Sequence, residues 1–206
     1  MVEALIKYIL LVLIVGVVLG YVNNSVVGVV SAGWINTYLF NGALLLLLFV
    51  MGLAFGVDKE AVGKLKARGL RILVIPVVVV LGSVLGGLVG GFVLGLNVFG
   101  SMAVTSGFGW YTVTGPLLTQ VLGSQWGALG FTANFLRELL TIVLVSVWVR
   151  VDKFAAVASG GATTMDTTLP VIVRYCGSDV LVAAFSSGFV LSLLAPFMVL
   201  AFASLM

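Results

Sequence analysis

Two carboxylate side chains lie inside apolar stretches of this sequence, Glu138 and Asp166. Glu138 lies thirteen residues into an apolar segment at 125–149, and Asp166 lies in a polar segment at 154–176. Placing an isolated charge at the centre of a bilayer costs about 3 kcal/mol on insertion scales, so such residues face a protein interior or water. The two carboxylates therefore predict a cation site that also exchanges protons.

Two polar residues accompany Glu138 on the same predicted helix. Arg137 precedes it, and neighbours in sequence point about 100° apart on a helix, so the two side chains cannot pair by facing each other. Arg137 is expected to pair with another group, of which Asp166 is one candidate, and the three charges could form an ion network that only holds helices together. Asn134, one turn before Glu138 on the same face, could orient a carboxylate or a ligand.

Two polar segments interrupt the apolar sequence, SGFGWYTVTGP at 106–116 and SGGATTMDTTLP at 159–170. Each begins with Ser-Gly and ends on a proline, and beyond the prolines the sequences match at a constant offset of 54 residues. The matched positions are Gly123-Ser124 with Gly177-Ser178, Phe131 and Phe135 with Phe185 and Phe189, and Leu139-Leu140 with Leu193-Leu194. A chance match is the alternative in a chain with 26 glycines. A duplicated, broken helix predicts the binding site of a transporter.

Glycine, hydroxyl and aromatic residues of these segments could contribute to such a site. Glycines allow the backbone to unwind, and the N-termini of the resulting half-helices can present N–H groups to a substrate carboxylate. Hydroxyls can satisfy freed backbone groups or contact the ligand, and aromatic rings can cover a cation or anchor the chain at the membrane interface. The candidate residues are Ser106, Gly107, Gly109, Trp110, Tyr111, Thr112, Thr114, Gly160, Gly161, Thr163 and Thr164.

The composition places these segments in a membrane. The chain is 62% hydrophobic and 8% charged, and residues 8–57 and 72–136 carry no charged side chain. A spanning helix needs about 20 apolar residues, so each of these stretches holds at least two spans of an all-α, polytopic membrane protein. One cysteine and no histidine predict no disulfide within the chain, no metal site and no cofactor. The net charge of +3 comes from basic residues that flank helices, and it does not indicate nucleic-acid binding.

The predicted elements form a single transmembrane domain over residues 1–206. Five spans are predicted at 5–22, 35–57, 72–96, 125–149 and 180–206, with broken or re-entrant elements at 100–123 and 154–176. The third span carries a stripe of glycines that favours close helix contact, namely Gly82, Gly86, Gly87, Gly90 and Gly91.

Charge distinguishes two possible topologies. The loop at 58–71 carries five basic residues and is expected in the cytoplasm. If all seven segments cross, Arg150 and Lys153 lie outside; if the polar elements are re-entrant, these residues and Arg174 join the loop inside. The positive-inside rule therefore favours five spans and two re-entrant elements that form an inverted repeat. Both versions place the N-terminus in the cytoplasm and the C-terminus outside.

Three segments also carry a family resemblance. SGFGWYTVTGPLLT, FLRELLTI and GGATTMDTTLPVIVR, in this order and spacing, resemble the membrane domain of the LysO-type lysine exporters, and the similarity covers nearly the whole chain. The resemblance implies export of L-lysine and close cationic analogues across the cell membrane, driven by proton antiport. The important intramembrane acids of the family correspond here to Glu138 and Asp166.

The chain departs from the longer members of that family, which carry an extra N-terminal hydrophobic region of about three spans by the 20-residue count. The chain could act alone, as a homodimer, or with a small membrane subunit that resembles this region, and the sequence does not distinguish these three states. The alternative function is transport of another small organic ion coupled to Na⁺, which unwound carbonyls near Gly109 and Gly161 could hold. An intramembrane enzyme is not expected, because no matching aspartate pair, Ser-His pair or metal set is present.

Overall fold

The computed structural model describes residues 73–206 throughout and, before them, residues 11, 14–23, 25, 38, 39, 42, 43, 45, 46, 49, 50, 53 and 57. The chain forms two compact units, Met1–Leu47 and Leu48–Met206. In the first unit, residues 14–22 are helical, within the predicted span 5–22. The rest of that span, much of the predicted span 35–57 and the whole loop 58–71 lie outside the described residues.

Residues 73–206 are helical and contain no strand, which confirms the all-α prediction for this part of the chain. The helices are α1 (Val74–Leu94), α2 (Val98–Thr105), α3 (Tyr111–Leu122), α4 (Ser124–Val151), α5 (Lys153–Gly160), α6 (Leu169–Cys176) and α7 (Leu181–Ala203), with 3₁₀ turns at Gly161–Met165 and Ser178–Val180.

In this part of the chain, two short helices lie between each long helix and the next. Three segments between residues 73 and 206 are long and apolar enough to cross a membrane, Val74–Leu94, Ser124–Val151 and Ser178–Ala203. They correspond to the predicted spans 72–96, 125–149 and 180–206. The remaining helices have 8 to 12 residues, or about 12–18 Å at 1.5 Å per residue, so none of them crosses alone.

Local sequence explains where several of these helices begin and end. Gly95 adopts a φ of 65°, a left-handed conformation that favours glycine and ends α1. The Asn97 side chain accepts a hydrogen bond of 3.0 Å from the Gly100 N–H at the start of α2. The Asp152 side chain likewise accepts a bond of 2.6 Å from the Phe154 N–H at the start of α5. Both are N-cap residues that satisfy a backbone donor of the first turn.

The glycine stripe of α1 brings α2 very close. A Cβ atom on Gly87 would lie 2.8 Å from Cα of Met102, and one on Gly91 would lie 2.9 Å from the Ser101 hydroxyl. By contrast, a Cβ on Gly86 would meet nothing within 4 Å. Two of the five predicted stripe positions therefore carry the helix contact, and α2 runs back along α1.

The first broken element, α2 and α3, begins and ends at the same end of α4. The Trp126 ring, at the start of α4, covers Gly100 at the start of α2, where a Cβ would lie 2.8 Å from Cζ2 of the ring. Further along, Asn134 of α4 donates to the carbonyl of Val104 in α2. Helices α2 and α4 thus run side by side in the same direction, and α3 returns along α4 to reach Ser124.

The second broken element, α5 and α6, begins and ends at the other end of α4. The Cys176 thiol, at the end of α6, donates to the carbonyl of Lys153, at the start of α5, over 3.7 Å. The Lys153 ammonium also forms an ion pair with Asp179, just beyond α6. Between these points Val157 and Ile172 share a buried cluster. The two broken elements therefore approach from opposite ends of a helix that is about 42 Å long at 28 residues.

The breaks of the two elements meet beside α4. The Ala162 N–H in the second break donates a hydrogen bond of 2.8 Å to the carbonyl of Phe108 in the first. Phe108 and Ala162 belong to one buried cluster with Leu191 of α7 and Val79 of α1. This crossing is the centre of the described fold.

Candidate functional site

Asn134 fixes the shape of the first break. Its Oδ1 accepts a hydrogen bond of 2.7 Å from the Gly109 N–H, and its Nδ2 donates to the carbonyls of Val104 and Gly130 at 2.8 Å each. The side chain is only 3% exposed. Because both amide hydrogens and one oxygen lone pair are engaged by the backbone, Asn134 positions the broken helix, and it makes no contact with either acid.

The crossing of the two breaks requires glycine at two positions. Gly109 and Gly161 have φ values of 101° and 63°, and a Cβ on Gly161 would collide with the carbonyl oxygen of Phe108. A Cβ on Gly109 would lie 3.2 Å from the carbonyl oxygen of Gly160. The two backbones therefore approach more closely than any side chain would allow.

The predicted hydroxyl residues mostly donate to backbone carbonyl groups at or near the breaks. Ser106 donates to the Met102 carbonyl at 2.7 Å. The other donors are Thr114 to Trp110 at 2.8 Å, Thr163 to Gly160 at 2.9 Å, and Thr164 to Gly161 at 2.7 Å and to Ala184 at 2.8 Å. Thr112 is exposed. Gly107 packs closely against Asn134, because a Cβ on Gly107 would lie 2.8 Å from the Asn134 amide.

The N–H groups at the breaks are also occupied. Gly109 donates to Asn134, Ala162 donates to Phe108, and Tyr111 donates to the carbonyl of Gly109 at 3.0 Å. These three N–H groups therefore already have protein partners. Serine and threonine close to the breaks act as backbone partners, as hydroxyl side chains do in broken membrane helices.

Glu138 is a buried acid next to the crossing. It is 7% exposed, and its Oε2 is enclosed without a hydrogen-bond partner in the described part of the chain. Tyr111, the first residue of α3, lies close enough to the Glu138 carboxylate to interact with it.

Aromatic rings surround Tyr111. Its ring meets those of Phe131 and Phe135 edge to face, with centroids 5.2 and 5.5 Å apart. The side chain of Trp110 instead packs against the buried cluster that contains Phe108. Of the two predicted aromatic residues, Tyr111 therefore lies beside the acid and Trp110 supports the core.

Asp166 has a different environment from Glu138. It follows the 3₁₀ turn of the second break, it is exposed, and its Oδ1 accepts a hydrogen bond of 2.6 Å from the Thr167 N–H. One acid is therefore enclosed at the crossing and the other is exposed.

Arg137 binds backbone carbonyls instead of an acid. Its guanidinium donates to the carbonyls of Ser159 at 2.9 Å and Ala158 at 3.0 Å, and to the hydroxyl of Ser83 at 2.8 Å. The carbonyls at the C-terminal end of α5 carry partial negative charge, which stabilises the cation. Arg137 therefore does not pair with Asp166, which was one candidate partner. Between residues 73 and 206 the ion pair is Lys153–Asp179.

Ser83 is the residue that sequence reasoning missed. It is a single hydroxyl within the glycine stripe of α1, and a lone serine in an apolar helix usually needs no partner outside that helix. No pattern in the sequence marks its contact with Arg137.

Long apolar helices and two broken helices that touch beside a central helix together define a helical membrane protein with the broken-helix architecture that recurs in transporters. The chain belongs to the lysine exporter LysO family, whose sequence profile matches residues 10–203. This confirms the resemblance found in the sequence.

Two curated relatives show the same similarity. The chain is 39% identical over 163 residues to "Lysine exporter LysO" of Escherichia coli K12, covering 78% of this chain and 54% of the relative. It is 32% identical over 124 residues to "Putative lysine exporter" of Haemophilus influenzae, covering 60% of this chain and 64% of the relative. The matches thus span between about half and two thirds of the length of these relatives. No solved structure matches the chain.

Proposed function

We propose that this chain is a secondary transporter that exports L-lysine and close cationic analogues from the cytoplasm by proton antiport. The observation that carries the proposal is the enclosed Glu138 carboxylate, which has an unpartnered oxygen beside the crossing of two broken helices. An ammonium group or a proton can each satisfy that oxygen. The cargo is taken from the names of the relatives, which are lysine exporters.

A transport cycle follows from the different exposure of the two acids. Asp166 meets the cation first, because it is open, and Glu138 holds it in the enclosed position. Protons that enter from outside neutralise the carboxylates and release the ammonium groups. The neutral site then returns inward, since an uncharged carboxyl costs far less to bury than an unpaired carboxylate.

Proton coupling is favoured over Na⁺ coupling by the state of the backbone at the crossing. The carbonyls of Phe108, Gly160 and Gly161 each accept a hydrogen bond from Ala162, Thr163 or Thr164. A Na⁺ site built from unwound carbonyls would need these oxygens turned toward the ion.

The proposed topology has five spans and two re-entrant elements that enter from opposite faces. The contacts of Gly100 with Trp126 and of Lys153 with Cys176 support it, because each broken element returns to the end from which it started. Arg150, Lys153 and Arg174 then share one face, which the positive-inside rule assigns to the cytoplasm. In this arrangement the C-terminus lies outside.

Flux of radiolabelled L-lysine in liposomes that contain the full chain tests the function. A pH gradient should drive lysine movement, and a protonophore should stop it while removal of Na⁺ does not. Glu138→Gln and Asp166→Asn should each lower the flux about 100-fold, because an amide neither exchanges the proton nor carries the charge that binds an ammonium group, and a hydrogen bond to a charged group contributes about 1.5–3 kcal/mol.

The matched control is Asp179→Asn, the same acid-to-amide change in an exposed ion pair. Exposed pairs contribute little to stability, so flux in this variant should stay at the wild-type rate. Full activity of either Glu138→Gln or Asp166→Asn would rule out the proposed use of the two acids.

A further inference from the structure

A cleft of about 560 Å³ lies between α1, α4 and α5, on a different face of α4 from Glu138. Arg137 lines its inner end, and Trp148, three turns further along α4, lines the end near Val151. The walls between them are mainly apolar and include Val79 and Leu140. The volume falls in the range of small-molecule sites, which is about 300–1,000 Å³.

The unused hydrogen-bonding groups of the cleft are donors. A guanidinium has five N–H groups, and three bonds from Arg137 are made, which leaves two N–H groups free. The Ser83 hydroxyl accepts one of those bonds, so its own hydrogen is available to an incoming oxygen. Thr141 and Ser159 donate to carbonyls of their own helices. The cleft thus presents a cation and free donors at its inner end, and the unpartnered Trp148 Nε1–H lies at its other end.

These groups complement an oxyanion. A carboxylate would pair with the guanidinium through charge-assisted hydrogen bonds, which are about twice as strong as neutral ones. It would also give Arg137 the anionic partner that residues 73–206 do not supply. Elsewhere around the crossing a carboxylate is disfavoured, because Glu138 and Asp166 repel it and the N–H groups of the breaks are occupied.

We infer that this cleft binds the α-carboxylate of the amino-acid cargo at Arg137, in a step separate from the binding of its ammonium groups at Glu138 and Asp166. The inference rests on the proposed function and adds a separate subsite to it. The cation sites at Glu138 and Asp166 recognise ammonium groups, and the Arg137 cleft recognises the carboxylate. The protein would thereby distinguish amino acids from diamines of the same length.

Isothermal titration calorimetry on the purified full chain separates the two kinds of recognition. L-Norleucine has the carboxylate but no side-chain ammonium, whereas cadaverine has two ammonium groups and no carboxylate. Norleucine should bind to the wild-type chain and to Glu138→Gln with similar affinity. Cadaverine binding should require Glu138.

Two variants address the cleft itself. Arg137→Gln should abolish norleucine binding, but it also removes contacts to α5 and could misfold. Leu140→Phe therefore provides the second variant, because it fills the cleft and leaves every polar group in place. It should weaken norleucine binding at least tenfold, while Leu139→Phe, on the neighbouring residue outside the cleft lining, should leave it unchanged.

Several results would overturn the inference. One is equal norleucine affinity in Leu140→Phe and Leu139→Phe, and another is norleucine binding that disappears in Glu138→Gln. Displacement of bound phosphatidylglycerol by Leu140→Phe in native mass spectrometry, without any norleucine effect, would assign the cleft to a lipid phosphate. Failure of the proposed function gives a different result, since the wild-type liposomes would then show no lysine flux at all.

Discussion

A single amide side chain holds the first break in its shape. Asn134 connects the N–H of Gly109 with the carbonyl of Val104 across the unwound segment. Both backbone groups are buried, and leaving a buried backbone group without a partner lowers the free energy of unfolding by about 1–3 kcal/mol. Asn134 is thus a positioning residue whose contribution lies in the folded break and not in ligand contact.

Asn134→Leu should therefore destabilise the protein by about 1–3 kcal/mol, because the apolar isostere leaves the Gly109 N–H without its partner in the interior. The loss is measured as a lower midpoint of thermal or denaturant unfolding in detergent. Thr132→Leu, an exposed position two residues earlier on the same helix, is the control and should change the midpoint little. Equal midpoints for the two variants would show that the break does not depend on the amide.

Sequence alone predicts two candidate acids but not the hydrogen-bond partners of the polar residues near them. Glu138 and Asp166 are conspicuous because charges are rare and costly in apolar segments. The partners of Arg137 and Asn134 are backbone atoms, and every residue has those, so no residue type marks them. The alignment of Ser83 with the guanidinium depends on how α1 packs, which the sequence pattern does not specify.

At the level of helices, long segments are easier to predict than broken ones. The hydropathy of α1, α4 and α7 sets their bounds to within a few residues of the predicted spans. The two aligned prolines behave differently, because Pro116 lies inside α3 while Pro170 lies in the first turn of α6. A proline near the start of a helix sacrifices no internal hydrogen bond, whereas one in the interior does. The two matched segments are therefore more alike in sequence than in local structure.

The contact between α1 and α2 gives a prediction with a control on the adjacent residue. Gly87→Ala should destabilise the protein by about 1–3 kcal/mol, since its Cβ would press on the backbone of α2. Gly86→Ala should be neutral or slightly stabilising, because its Cβ has open space and alanine favours a helix. Unfolding midpoints of the two variants in the same detergent provide the comparison. A larger loss at position 86 would contradict the packing.

For the whole molecule, the direction of each broken element determines on which side every loop lies. If the elements are re-entrant, Ser124 and Ser178, which are equivalent in the repeat, lie on opposite faces of the membrane. If all seven segments cross, both serines lie in the cytoplasm. Both residues are exposed, and the chain has a single cysteine, Cys176. A single substitution at Cys176 therefore gives a cysteine-free chain for labelling.

In a Cys176→Ser background, Ser124→Cys should react with a membrane-impermeant maleimide added to intact cells, and Ser178→Cys should react only in inverted vesicles. The reason is that α4 connects the two loops and crosses once, while each broken element turns back at the crossing of Phe108 and Ala162. The positive charges at Arg150, Lys153 and Arg174 should then fall on the side that labels in vesicles. Labelling of both cysteines from the same side would require at least one broken element to cross, and the inverted arrangement would have to be abandoned.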